Sequence, residues 1–404
     1  MGNGIRPADA RSSQPDQTPD VDMSLVQGDL GFHLQRRVRL IPAVGMGAWR
    51  RALIFAAVTW LPLAVWAVLT GRALQGTGDD TLAAHFGIHV RCLVAIPLMV
   101  AAEGVAQKLM PPLLKYFIDS GVVTEQTAPE FRRQLSRVAQ LRDRSLPWVV
   151  IFAAAIACST IGALYGRAED LAWMNQGERV RDITFGGWWF VLVIRPLFTV
   201  LLLAWLWRVC LLFVLLLKIG KLPLALVPSH PDRVGGLSFV EHMAFMFSPV
   251  AFAISAVVAS SFAHEVVYHG ASAMQMKTLL IASAALISIV FLIPLLPLGI
   301  PLGRLKRRAA FEYGSLVAHH DRLVHQRWIL HRDVGRPEIL DAPELGPVAD
   351  VHAIYDAVVH MRSIPLSKLS VVAIVVPAAL PMLYVAAMQL PLSAVLGKVF
   401  KALI

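Results

Sequence analysis

Seven stretches of this chain, at residues 52–70, 86–105, 146–166, 188–217, 239–263, 278–302 and 369–390, are long and almost purely apolar. A helix rises 1.5 Å per residue, so about 20 such residues cross the hydrocarbon of a bilayer. In lipid every backbone N–H and C=O must be satisfied inside its own segment, which a helix does and an open strand does not. The expected fold is therefore all-α: a polytopic helical membrane protein of about seven transmembrane helices with cytoplasmic helical extensions. Composition agrees, because 56% of the 404 residues are hydrophobic and 16% charged, against about 25% charged in soluble domains.

The charges set a direction. The lead-in to the first stretch carries Arg36, Arg37, Arg39, Arg50 and Arg51, whereas the loop after it carries Arg72 beside Asp79 and Asp80. Basic and neutral connections then alternate at every crossing, ending with Arg304, Lys306, Arg307 and Arg308 after the sixth stretch. By the positive-inside rule this places the N-terminus in the cytoplasm and the C-terminus outside. The net charge of +10 is spread along these flanks and not gathered in one basic domain, so membrane lipid and no nucleic acid is the expected partner. No apolar core precedes residue 40, which argues against a cleavable signal peptide. Arg6 stands where myristoylation needs Ser or Thr. Cys92, Cys158 and Cys210 all lie within apolar stretches and read as packing residues.

Four regions follow: a disordered cytoplasmic lead-in (1–45, with 1–30 rich in Pro, Asp, Gln and Ser), a six-span region (46–302), a cytoplasmic helical segment (303–367) and a last span with its tail (368–404). Within 127–144, Phe131, Leu135, Val138 and Leu141 share one helical face opposite arginines, and Thr127 and Glu130 have capping-box spacing. That helix either lies on headgroups or packs on a neighbour. After the sixth stretch the helix is expected to continue, with Ala309, Tyr313, Val317, His320, Val324 and Trp328 as its contact stripe. Pro196 is expected to kink the fourth stretch.

Charge inside lipid is costly, about 2.5–3.5 kcal/mol per residue on insertion scales. Arg91, Glu103 and Arg195 are therefore the candidate permeation or coupling residues, with Arg91 and Arg195 at similar depth. Small residues every fourth position, at 154, 158, 162 and 166 and at 251, 255 and 259, predict close helix packing. A pore face along Ser248 and Ser255 is the competing reading. No metal or cofactor is assigned. The histidines nearest to a metal site are His85, His89, His264 and His269, but HEVVYH spaces its imidazoles by five where the zinc-protease pattern needs four.

The segment LVPSHPDRVGGLSFV, residues 226–240, separates two apolar stretches. Its prolines forbid helix, Gly235 and Gly236 permit positive φ, and Ser238 with Glu241 resembles a capping box opening the fifth span. His230, Asp232, Arg233, Gly235 and Gly236 thus form a candidate anion loop, because a helix N-terminus offers free N–H groups to a phosphate or a lipid headgroup.

The block WLWRVCLLFVLLLKIGKLPLALVPSHPDRVGGLSF, with ADVHAIYDAVVHMRSIPLSK before the last span, resembles an uncharacterised family of bacterial polytopic inner-membrane proteins. Ser238 stands where that family is expected to have glycine. The resemblance implies a multi-span helical fold in the cytoplasmic membrane and carries over no functional residues. The expected function is an ion or small-solute channel or transporter, as a homo-oligomer. The alternatives are a membrane-embedded enzyme or ligand-binding protein using His230 and Asp232, and a signalling or scaffold protein.

Overall fold

The computed structural model describes residues 24–26, 36–37, 47–73, 81–165, 184–268, 270, 272–334 and 346–388. Among these residues there is no strand. Nine helices, some with 3-10 or π turns inside them, carry the fold: α1 (Ala48–Leu69), α2 (Phe86–Asp119), α3 (Ala128–Asp143), α4 (Ser145–Tyr165), α5 (Phe185–Ile219), α6 (Ser238–Tyr268), α7 (Gln275–Ile329), α8 (Gly346–Val359) and α9 (Lys368–Met388). Six of them, α1, α2, α5, α6, α7 and α9, are long and apolar enough to cross a membrane. The chain is thus a polytopic helical membrane protein. The third expected span corresponds to α4, which has 21 residues and no charged side chain.

α6 is the most buried of the six and forms the centre of the bundle. Ala251, Ser255 and Ala259 line its seam with α9, where Ile374, Ala378 and Met382 are also buried. Small side chains let the two backbones approach, as the spacing predicts. Ser255 donates its hydroxyl proton to the carbonyl of Ala378, so this serine packs and does not face a pore. On α4 the other small-residue stripe departs from expectation at Cys158, while Gly166 lies outside the described residues. The buried face of this helix is Trp148, Ile151, Ala155 and Ser159, set against Ala204 of α5, while Cys158 is exposed. Of the cysteines only Cys92 is buried; Cys210, like Cys158, lies on the surface.

The helices are not uniform. α2 contains a π turn at Val90–Ala95 and α5 one at Phe190–Ile194. Each is followed within two residues by proline, Pro97 and Pro196 respectively. Proline lacks the N–H of the regular ladder and crowds the preceding turn, and a widened turn absorbs both effects without breaking the helix. At Pro196, where a kink is expected, the helix carries a π turn and runs on for 35 residues in all.

α3 shows which reading of its amphipathic face holds. Phe131, Leu135 and Val138 are buried, and Phe131 meets the Phe117 ring of α2 with centroids 5.6 Å apart. The helix packs on protein. Its capping box does not form: Glu130 pairs with Arg133 at 2.6 Å instead. In the lead-in, expected to be disordered throughout, Leu25 and Val26 are 2% and 1% exposed and belong to the main core. Ser24 holds Gln107 of α2 through its hydroxyl, and its carbonyl accepts from Arg142 of α3; residues 1–23 lie outside the described residues. The stripe on α7 is half realised: Ala309 and His320 are buried, α8 packs beside them, and Trp328 is exposed.

Candidate functional site

Two layers of intramembrane charge sit on α2 and α5. The first joins Arg91 to Arg195. Arg91 lies in the π turn of α2 and Arg195 follows directly on the π turn of α5. Their guanidinium carbons stand 6.0 and 5.5 Å from the centroid of one shared ring, Phe190, within cation–π reach. The similar depth expected of these two residues is therefore realised as a common partner.

The second layer is Glu103. It is 12 residues beyond Arg91 on α2, about 18 Å along the axis. One carboxylate oxygen accepts from Arg51 of α1, and the other accepts from Arg208 of α5 at 2.8 Å. Exposures are 0% for Arg51, 4% for Glu103 and 3% for Arg208. The Arg208 guanidinium also lies 4.7 Å from the centroid of Trp205, whose indole donates to the Met99 carbonyl at 3.1 Å. Glu103 thus sits in a buried ion cluster with both arginines. It does not share a site with Arg91 and Arg195. The buried side chains of α2 between the layers, Cys92, Ala95, Ile96, Met99, Val100 and Ala102, carry no charge.

At the level of Arg91 lies a pocket of about 580 Å³. Its polar wall is His85 and Arg91 of α2 and its lead-in together with Ser260, Ser261, His264 and Glu265 of α6. Its apolar wall includes Ile88, Phe190, Phe262 and Leu279. Gly87 forms part of the floor, where a Cβ would stand 3.2 Å from Arg91 Nη1 and 3.8 Å from Ser260 Oγ. Ser261 and Leu279 are exposed at the edge. The volume falls within the roughly 300–1,000 Å³ of small-molecule sites.

The histidines sort themselves between pocket and scaffold. His85 and His264 meet at the pocket as tilted rings with centroids 5.5 Å apart, and the Nδ1 of His85 donates to the Thr81 carbonyl at 3.0 Å. His89 is turned away. Its Nδ1 accepts from the Trp60 indole at 3.0 Å, so its Nε2 carries the proton and donates to the Leu82 carbonyl at 3.0 Å. Both nitrogens of His89 are committed to structure, and the one-turn pair with His85 does not form. His269 lies outside the described residues. Among the described residues no three or more His, Cys, Asp or Glu side chains are grouped to hold a metal.

The loop at 226–240 lies at the other end of α6. Its free amides are already taken. Asp232 Oδ1 accepts from the amides of Val234 and Gly236 at 2.9 and 3.1 Å, and Oδ2 from that of Ser238 at 3.1 Å. The chain's own carboxylate occupies the place expected for an external anion. Burial pushes the Asp232 carboxyl upward, but those three amides and His230 outweigh it and hold the group below the usual carboxylate range. His230 Nδ1 is 2.8 Å from Asp232 Oδ1. The Ser238–Glu241 capping box is absent, and α6 opens with a 3-10 stretch at Ser238–Phe247 that Asp232 caps from upstream. Gly235 and Gly236 take φ of 67° and 93°, and Arg233 is left-handed at 60°. The Arg233 carbonyl accepts from the Arg362 amide at 2.7 Å, while Ala225 donates to the Val122 carbonyl at 2.9 Å. The loop is clamped between the α2–α3 and α8–α9 connections.

Sequence reasoning singled out Arg91 and, separately, the outer His85 and the His264–Glu265 pair, but it did not join them with Ser260, Ser261 and Gly87 in one site; Arg195, singled out with Arg91, is not among the residues lining the pocket. The proline that follows each intramembrane arginine was the available signal for the π turns. Comparison with protein-family models, curated proteins and solved structures returned no match.

Proposed function

We propose that this protein is an integral membrane transporter of a small charged solute, with the pocket between α2, α6 and α7 as its binding site. One observation carries the reading. Polar side chains converge at one end of the bundle while the helices that bear them continue into an uncharged packed layer. A site reached from one side only is what alternating access requires, whereas a channel needs a through path. The Arg51–Glu103–Arg208 cluster then belongs to the frame that the moving helices share. The charge pattern supports the orientation read from the sequence, with the pocket outside and the Asp232 loop in the cytoplasm.

Uptake of labelled chloride, phosphate and alanine into proteoliposomes tests this, comparing the wild type with Arg91→Gln. Uptake of at least one solute above that of protein-free vesicles, lost in the variant, is the expected result. No uptake of any of the three, or uptake indifferent to Arg91, overturns it.

A further inference from the structure

We propose that the pocket selects zwitterions, molecules carrying an oxyanion and an ammonium group on one small framework. This rests on the reading of the pocket as a small-solute site and adds the substrate class.

Both signs of charge line one cavity: Arg91 from α2 and Glu265 from α6. Gly87 shapes the cationic end. With no side chain there, the Arg91 guanidinium and the Ser260 hydroxyl meet above bare backbone, at 3.2 and 3.8 Å from where a Cβ would stand. Ser260 donates its proton to the Val257 carbonyl at 2.7 Å, which turns its lone pairs to the cavity side. Arg91 is therefore the group suited to an oxyanion, and its planar fork matches a carboxylate or phosphate edge. Glu265 is five residues beyond Ser260 on α6, about 7.5 Å further towards the helix end.

A simple anion on Arg91 would stand in the repulsive field of Glu265, and a simple cation in that of Arg91. A ligand bearing both groups meets an opposite charge at each end. The side chains of Ile88, Phe190 and Phe262 form an apolar wall beside these groups, and a lower local dielectric strengthens both contacts. The same chemistry is found in a free amino acid and in the phosphoethanolamine head of a lipid, and Leu279 at the edge of the pocket is exposed.

Calorimetric titration of the purified protein with alanine, acetate and methylammonium is the first arm. Alanine is expected to bind at least tenfold more tightly than either single-charge probe. Arg91→Gln and Glu265→Gln should each weaken alanine tenfold or more, while Glu265→Gln strengthens acetate, a reversal that simple misfolding does not produce. In the second arm, native mass spectrometry from mixed nanodiscs counts retained phosphatidylethanolamine against phosphatidylglycerol. Selective retention of phosphatidylethanolamine, lost in both variants and with no alanine binding, assigns the lipid source. Acetate binding as tightly as alanine in an Arg91-dependent way overturns the zwitterion and leaves the small-solute site standing. Binding of none of these probes overturns both.

Discussion

A single carboxylate does the work that the loop motif promised to a ligand. Asp232 gathers three amides across residues 234–238, and hydrogen bonds to a charged group contribute about 1.5–3 kcal/mol. Its folded-state pKa lies below the ordinary value, near 3.9 in an unfolded chain. The sign follows: the stabilisation is complete above that unfolded value and is lost as pH falls through the folded one. Asp232→Asn should therefore lower the melting temperature of the detergent-solubilised protein at pH 7, and the gap to wild type should shrink as pH drops below about 4. A gap that is constant with pH would show that the charge is not what holds the turn. Of this loop the sequence made the left-handed glycines legible, because few other residues tolerate positive φ. It hid the amides' true partner, because a carboxylate two to six residues away reaches all three only once the turn has folded.

Helices α1, α2 and α5 are tied by one buried cluster. Two guanidinium groups share one carboxylate at near-zero exposure, and removing one partner from a buried ion pair costs about 3–5 kcal/mol. Glu103→Ala should sharply reduce the yield of folded protein and its melting temperature. Replacing the whole cluster by Arg51→Met, Glu103→Leu and Arg208→Met should restore much of the loss. Failure of the triple variant to recover would mean that the cluster acts through more than charge balance. The charge of Glu103 was visible as an isolated cost in lipid, but Arg51 read only as a flanking residue of the first span. Pairing across 52 and 105 positions of chain is set by which helices become neighbours, and no local pattern encodes it.

For the whole molecule, length and apolarity yield the spans, and charge asymmetry yields their proposed direction. With Cys158 and Cys210 changed to serine, a cysteine at Lys277, which is exposed beside the pocket end of α7, should react with an impermeant thiol reagent on intact cells. One at Phe311, 81% exposed further along α7, should react only after permeabilisation. The opposite pattern would invert the bundle and move the pocket to the cytoplasmic side.

What the residues determined alone was the class of fold. Apolar runs of spanning length have one way to satisfy their backbones in lipid, and that choice is made within each segment. Small residues at every fourth position of α6 likewise marked a close helix seam in advance, but not that α9 would fill it. Tertiary structure decided which polar groups meet. Arg91 and Glu265 come from helices far apart in the chain, His89 turns to Trp60 and away from His85, and Leu25 reaches the core from a lead-in expected to be disordered. Each of these depends on the angle at which one helix faces another, and the widened turns before Pro97 and Pro196 change that angle in a way that hydropathy along the chain does not register.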